Sequence, residues 1–366
     1  MLQWAANPYR IPPTLFSRRI NSRNLFVVKK FDAMQKRKEM IPQKKLSVVV
    51  PCYNEEDVIH ELHKRLTDAC KTYEKDGYEI VLVNDGSSDK TLEIMGDIVQ
   101  SDPNVVVVNL SRNHGHQLAL SAGLEVCCGE RIFIIDADLQ DPPELLHDMM
   151  KKVDAGVDVV FGQRLEREGE TLFKKASAFV FYRLLQRITD IEIPADTGDF
   201  RLMTRRALDV LLKMPEHHRF IRGMVSWIGF KQEPILYARA PRFAGTTKYP
   251  LSKMIKFSID AITSFSIRPL RVAAHAGFAV GLAAFAMIIY ALFNFVFGNS
   301  VDGWTSIIIV ILSIGSVQLV LMGIIGEYLG RLYIESKGRP LFIIQDVIHQ
   351  QSNNHVHAGK EHTDDQ

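Results

Sequence analysis

Asp136 and Asp138 stand one residue apart, directly after the apolar run Arg131-Ile132-Phe133-Ile134-Ile135 and just before Leu139-Gln140-Asp141-Pro142-Pro143-Glu144. Two carboxylates at the end of a buried strand repel each other and are costly to desolvate. A hard cation and an anionic ligand offset that cost. Mg²⁺ keeps few protein carboxylates and fills its shell with water and substrate phosphates, so the cluster points to a diphosphate-bearing substrate. The competing reading is a solvated loop whose acids cap the helix that Pro142-Pro143 would start.

The elements around this stretch bear on the choice. Residues 46–50, 79–83, 105–110, 132–135 and 157–161 are short apolar, β-branched runs. Helical spacing lies between them, over 57–73 (Val58, Leu62, Leu66, Ala69) and again from Asp89, from about His116 and from Pro143. Apolar strands alternating with helices predict an α/β fold with a mainly parallel sheet covered on both faces. Such sheets bind ligands at the carboxyl ends of their strands. Pro51-Cys52-Tyr53-Asn54-Glu55-Glu56 follows the first run, Asn84-Asp85-Gly86-Ser87-Ser88-Asp89 the second, and residues 136–140 the fourth. Any one of these is ordinary turn-and-cap chemistry, with Ser88 or Asp89 a good N-cap. Three at one sheet edge describe a pocket for a ligand with base, ribose and phosphate parts. No Gly-x-Gly-x-x-Gly follows the first run and no Gly-Lys-Ser/Thr loop occurs, which weakens dinucleotide and P-loop readings. A phosphatase using Asp-x-Asp as nucleophile would need downstream partners that the sequence does not identify.

Hydropathy adds a second theme. Residues 272–297 contain no Lys, Arg, Asp or Glu, and residues 304–326 are again free of charge. Each run exceeds the roughly 20 residues that cross a bilayer core. Arg268 and Arg271 precede the first span, Arg331, Lys337 and Arg339 follow the second, and the 298–303 turn carries only Asp302. The positive-inside rule then puts both termini and the α/β domain in the cytoplasm, with the turn outside. Residues 1–45 form a basic arm with Pro8, Pro12 and Pro13, read either as a lipid-touching extension or as a solvated one. No signal peptide precedes the α/β region. The chain of 366 residues has a net charge of +2, so no global basic field argues for nucleic acid. Its four cysteines lack zinc-type spacing and suit a reducing compartment.

With these residues in view, the chain resembles the family 2, GT-A-fold glycosyltransferases that act on polyprenyl phosphates, the group containing dolichol-phosphate mannose synthase and the bactoprenol glucosyltransferases. The similarity runs from about Leu46 to about Ile344. Besides the segments above, it includes Leu110-Ser111-Arg112-Asn113, Thr197-Gly198-Asp199-Phe200-Arg201-Leu202, Arg219-Phe220-Ile221-Arg222-Gly223, Gly245-Thr246-Thr247-Lys248-Tyr249 and Gly323-Ile324-Ile325-Gly326-Glu327-Tyr328-Leu329-Gly330-Arg331. The resemblance implies a GT-A domain over 46–250, a juxtamembrane helix over 251–271, a two-helix hairpin and a cytoplasmic segment over 327–366. It implies a nucleotide-sugar site at Pro51, Tyr53, Asn54, Glu55, Asp85, Ser87 and Asp136, with Asp85 accepting from uracil. Asp136, Asp138 and Gln140 would hold Mg²⁺ or Mn²⁺. Arg164, Arg201 and Lys248 would grip the acceptor phosphate, with Asp138, Asp199 and Arg201 as the catalytic set. Two questions stay open: whether Arg201 instead pairs with Asp196 or Asp199, and whether Asp199 acts as a base or orients Arg201.

The expected reaction is inverting transfer of a sugar from a nucleotide sugar, with UDP-glucose favoured, to undecaprenyl phosphate at the bacterial inner membrane. Mannosyl, N-acetylhexosamine and aminoarabinose-type donors are alternatives, and a non-catalytic sugar-nucleotide sensor or export component is an alternative of another class. Residues 252–267 have the Lys253 and Lys256 charges and the apolar residues of an interfacial helix in contact with lipid. Small residues such as Gly277, Gly281, Ser313 and Gly315 would let the spans pack within the hairpin or between subunits of a homo-oligomer.

Overall fold

Alternation along the strands divides the core in two. In β1 (Leu46–Cys52), Leu46, Val48, Val50 and Cys52 join one cluster and Val49 the other. β2 (Tyr78–Asn84) and β3 (Val105–Leu110) split the same way, as a period of two requires when both sheet faces are covered. One cluster is closed by α1 (Ile59–Tyr73), α2 (Thr91–Ser101) and α4 (Leu146–Asp154). The other is closed by α3 (His116–Val126), α5 (Arg205–Lys213) and α6 (Ile221–Ile228). These assignments come from a computed structural model that describes residues 44–73, 77–165, 194, 197–238, 266–297 and 304–350.

The eight-stranded sheet has the order β7-β5-β6-β4-β1-β2-β3-β8, with β4 (Arg131–Ile134), β5 (Val159–Arg164), β6 (Thr197–Thr204), β7 (Gln232–Tyr237) and β8 (Ile344–His349). Pairings β1–β2, β1–β4 and β2–β3 are parallel, as the sequence pattern predicts, and so is β5–β7, although the pattern does not announce β7. Pairings of β6 with β4 and β5, and of β8 with β3, are antiparallel, so the sheet is mixed. Because β6 runs backwards, its first residues arrive at the edge where β1, β2, β4 and β5 end. Ile134 pairs with Arg201, and because the strands run in opposite directions, Asp136, two residues after Ile134, comes beside Asp199, two residues before Arg201.

α7 (Arg268–Val296) and α8 (Trp304–Ser336) are long apolar helices with exposed faces; Phe278 is 74% and Leu319 72% exposed. Water does not tolerate apolar surface of that extent, and both helices have the length and hydropathy to cross a bilayer. Gly277 lies against Leu321, so at this point a small residue does let the two helices approach. At about 1.5 Å per residue α8 is about 50 Å long against a hydrocarbon core of about 30 Å, so part of it must project beyond. Its charged residues, Glu327, Arg331 and Glu335, all lie after Gly326. The chain then returns to the sheet as β8, a strand that the sequence pattern does not announce. The expectations for the basic arm before Lys44, the juxtamembrane stretch up to Phe265, Asp196, Lys248, the 298–303 turn and the C-terminal tail lie outside the described residues.

Candidate active site

The loops after β1 and β2 are knitted to each other. The backbone N–H of Asn54 donates to Ser87 Oγ (3.1 Å), and Asn54 Oδ1 accepts from the Ser88 backbone N–H (2.8 Å). Glu55 N–H donates to Thr91 Oγ1 (2.9 Å), and Glu56 takes the N–H of Lys90 (2.9 Å). Asn54 holds φ of +53°, a left-handed conformation that asparagine tolerates better than most residues. Tyr53 is exposed and Pro51 buried within β1. The buried Asp85 carboxylate accepts from the backbone N–H groups of His114 (2.7 Å) and Gly115 (2.9 Å). Burial raises its pKa above the usual carboxylate value against the pull of those two bonds. Asp85 thus fixes the turn that leads into α3.

The acidic turn follows β4. Asp138 accepts from the backbone N–H of Gln140 (3.2 Å), and Leu139 between them is buried with φ of +56°. A non-glycine residue held there stores about 1–3 kcal/mol and signals a turn that the surroundings impose. Asp138 and Gln140 are half-buried, while Asp136 is bound to His116, whose Nε2 lies 2.9 Å from Asp136 Oδ1. Among the described residues, no three His, Cys, Asp or Glu side chains form a protein-only metal cage. Two carboxylates with one amide oxygen fit an ion that draws the rest of its shell from water and phosphates, so the donor set suits Mg²⁺ or Mn²⁺.

Across β6 lies a buried charged cluster. Asp199, with a side chain 1% exposed, receives Arg222 through Nε (3.0 Å) and Nη2 (3.3 Å), and Gln117 Nε2 at 2.8 Å. Gln117 Oε1 accepts from Ile221 N–H (3.0 Å), which fixes the start of α6 and with it Arg222. His116 Nδ1 lies 3.7 Å from Asp199, so His116 bridges the Asp136 and Asp199 carboxylates. Burial lowers the His116 pKa, but Asp136 and then Asp199 outweigh it and hold the imidazolium up to about 9. Burial would raise Asp199, yet Arg222, His116 and Arg201 together keep it far below the ordinary carboxylate range. Asp136 is also lowered, because His116 overcomes its burial.

Arg201 sits behind this cluster with a side chain 4% exposed. It donates to the carbonyls of Gly198 (3.1 Å) and Asp199 (3.3 Å) and lies 3.8 Å from the Asp199 carboxylate. Burial pulls its pKa down to about 10. The arrangement favours the ion pair with Asp199 over a grip on a ligand phosphate. Arg164 is placed differently. It is half-buried, and its guanidinium lies over Gly198, where an added Cβ would come within 2.9 Å of Nη2. Arg164 Nε approaches the Tyr237 hydroxyl (3.4 Å), which in turn donates to buried Asp141. Beneath it Phe133, Phe200 and Tyr237 stack edge to face at centroid distances of 5.4 Å. A Cβ at Gly162 would collide with the Phe200 ring, so glycine is what permits that floor.

The structure therefore gathers Asn54, Asp85, Ser87, Asp136, Asp138, Gln140, Asp199, Arg201 and Arg164 at one sheet edge. Sequence reasoning missed His116, Gln117, Tyr237 and the part played by Arg222. His116 and Gln117 open the helix after the third strand, at the same carboxyl-end edge as the acidic and turn motifs. That position was the available signal.

Residues 47–212 match the family described as Glycosyl transferase family 2, and residues 268–332 match the GtrB C-terminal hairpin. Over 300 residues the chain is 48% identical to the uncharacterized glycosyltransferase YkcC of Bacillus subtilis (strain 168), covering 82% of this chain and 93% of that one. It is 40% identical over 306 residues to a prophage bactoprenol glucosyl transferase homolog of Escherichia coli (strain K12), covering 83% and 99% of the two chains. It is 41% identical over 308 residues to the bactoprenol glucosyl transferase of Shigella phage SfV, covering 82% and 98%.

Proposed function

Because the chain belongs to glycosyl transferase family 2, we propose that it moves one sugar from a nucleotide sugar to a polyprenyl phosphate, with UDP-glucose as donor and undecaprenyl phosphate as acceptor. The chain is a glycosyltransferase, which removes the sensor alternative. The names of two relatives specify glucose and bactoprenol, and the apolar hairpin fits a lipid acceptor. The observation that carries the reading is the meeting of the acidic turn at 136–140 with the Asp199–Arg222 pair, joined through His116.

In this reading Tyr53, Asn54, Glu55, Asp85 and Ser87 line the base and ribose site. The second lone pairs of Asp85 accept from uracil while its first ones hold the turn at 114–115. Asp138, with Asp136 and Gln140, would hold Mg²⁺ or Mn²⁺, which offsets charge on the departing nucleoside diphosphate. Arg164 meets the acceptor phosphate, a task suited to the forked guanidinium, and Lys248 joins it. Asp199 is a poor general base, since its cationic partners hold it ionised far below neutrality. It orients Arg222 and backs Arg201 instead. A lipid phosphate is already anionic near neutral pH and needs positioning more than deprotonation, so a single in-line displacement suffices. The α/β domain then faces the cytoplasm, where nucleotide sugars are supplied.

The test is incubation of the purified full chain with undecaprenyl phosphate and a panel of nucleotide sugars, followed by weighing of the lipid product. A glucosyl phospholipid from UDP-glucose is expected. Lipid carrying only a mannosyl, N-acetylhexosamine or aminoarabinose unit would move the assignment to that donor, and no glycosylated lipid from any donor would overturn it.

A further inference from the structure

His217 lies in the seven-residue connection between α5 and α6, far in sequence from the membrane helices, yet it contacts the end of α8. Its backbone N–H donates to Glu335 Oε1 (2.8 Å) and its Nδ1 lies 2.7 Å from Glu335 Oε2. Its other ring nitrogen, Nε2, lies 2.8 Å from the carbonyl oxygen of Arg339. Both ring nitrogens face acceptors, which no neutral tautomer satisfies, so the contact is made by the imidazolium. The hydrogen bond to Glu335 raises the His217 pKa in the same sense, against partial burial.

The same connection is pinned elsewhere. Arg219 donates to the carbonyls of Leu211 (2.9 Å) and Met214 (3.0 Å), which closes the end of α5. Four residues after His217, Ile221 N–H is held by Gln117, and Arg222 next to it clamps Asp199. The exit of α8 is thus one short, doubly anchored connection away from the charged cluster. Glu335 belongs to the charged end of α8 beyond Gly326, in reach of the α/β domain.

We propose that His217 and Glu335 are a positioning pair that fixes the start of α6, and through it Arg222 and Asp199, to the exit of the second membrane helix. Resting on the functional reading above, the pair keeps the charged cluster, which adjoins Arg164 through Gly198, registered with the helices that deliver a lipid phosphate. Neither residue touches the reacting groups.

The experiment compares full-length protein in nanodiscs with its Glu335→Ala, His217→Ala and Glu335→Gln variants. Hydrogen exchange of the amides at 221–224 should accelerate about tenfold in His217→Ala, which loses the charge-assisted hydrogen bond to Glu335, and at least about tenfold in Glu335→Ala, which loses the bond from the backbone N–H as well. Glu335→Gln keeps an oxygen for the His217 backbone N–H and offers its amide N–H to the Nδ1 of a neutral imidazole whose Nε2–H still donates to Arg339, so it should retain most of the protection. In kinetics, the alanine variants should raise KM for undecaprenyl phosphate about tenfold while leaving UDP affinity unchanged. A merely structural contact would lower the unfolding midpoint and move neither readout. Wild-type protection at 221–224 and a wild-type lipid KM in both alanine variants would overturn the proposal. Absence of transfer by the wild-type protein would instead overturn the functional reading, and the exchange comparison would still decide the pair.

Discussion

The two halves of the site are held by different forces. After β1 and β2, Asn54, Ser87, Ser88, Thr91 and Asp85 hold the loops through short bonds to backbone N–H groups. Across β4 and β6, Asp136, His116, Asp199, Arg201 and Arg222 hold one another as charges, and Asp199 and Arg201 have almost no access to water. Removing a neutral bond from the first half costs about 1 kcal/mol, whereas stripping one partner from a buried pair costs about 3–5 kcal/mol because the other charge stays behind. The first half can therefore tolerate variation that the second cannot.

The largest expected effect follows from that contrast. Arg222→Ala removes the bidentate partner of Asp199 and should destabilise the α/β domain by about 3–5 kcal/mol, read from denaturant unfolding. A loss below about 1 kcal/mol would break the comparison, since it would mean that water already screens Asp199.

Asp138→Asn comes next. It should lower transfer about 10²–10³-fold with little change in the unfolding midpoint, because Asp138 is half-buried on a turn and outside the apolar clusters. EDTA should reduce the wild-type rate comparably. A variant with wild-type turnover would remove Asp138 from the chemistry. Arg164→Ala should then raise KM for the lipid phosphate about tenfold while UDP titrated calorimetrically binds as before. Loss of UDP affinity in this variant would place Arg164 on the donor side.

The smallest effect belongs to the first half. Asn54→Ala loses the acceptor for Ser88 and puts alanine at φ of +53°, so about 1–2 kcal/mol of stability should go. A loss as large as that from Arg222→Ala would show that the half held through backbone N–H groups is no more tolerant than the half held by paired charges.

The same contrast explains what could be read from the chain. Strands β1 to β5 are each built on a short apolar run, and the loops after β1 and β2 use residue types whose local bonding is well defined, so both were legible. β6 was legible as a motif but not as a strand. Gly198, Asp199 and Arg201 interrupt its pattern, and its antiparallel place beside β4 is a long-range choice. The pairing that brings Asp199 to Asp136 therefore had no local signature. The same holds for β8, a half-exposed edge strand recruited from beyond the membrane helices, and for Gln117, whose two bonds reach residues 82 and 104 positions away. Arg201 shows the converse limit. Its residue type suggested a phosphate grip, but only its burial reveals that its guanidinium faces its own strand.

The most direct test of the account is the stereochemistry of transfer by the full-length protein. With α-linked UDP-glucose and undecaprenyl phosphate, a single in-line displacement predicts a β-glucosyl phospholipid, identified by the anomeric coupling in NMR of the purified product. An α-linked product would require a covalent intermediate or a front-face route and would contradict the assignment of Asp199 as an orienting group.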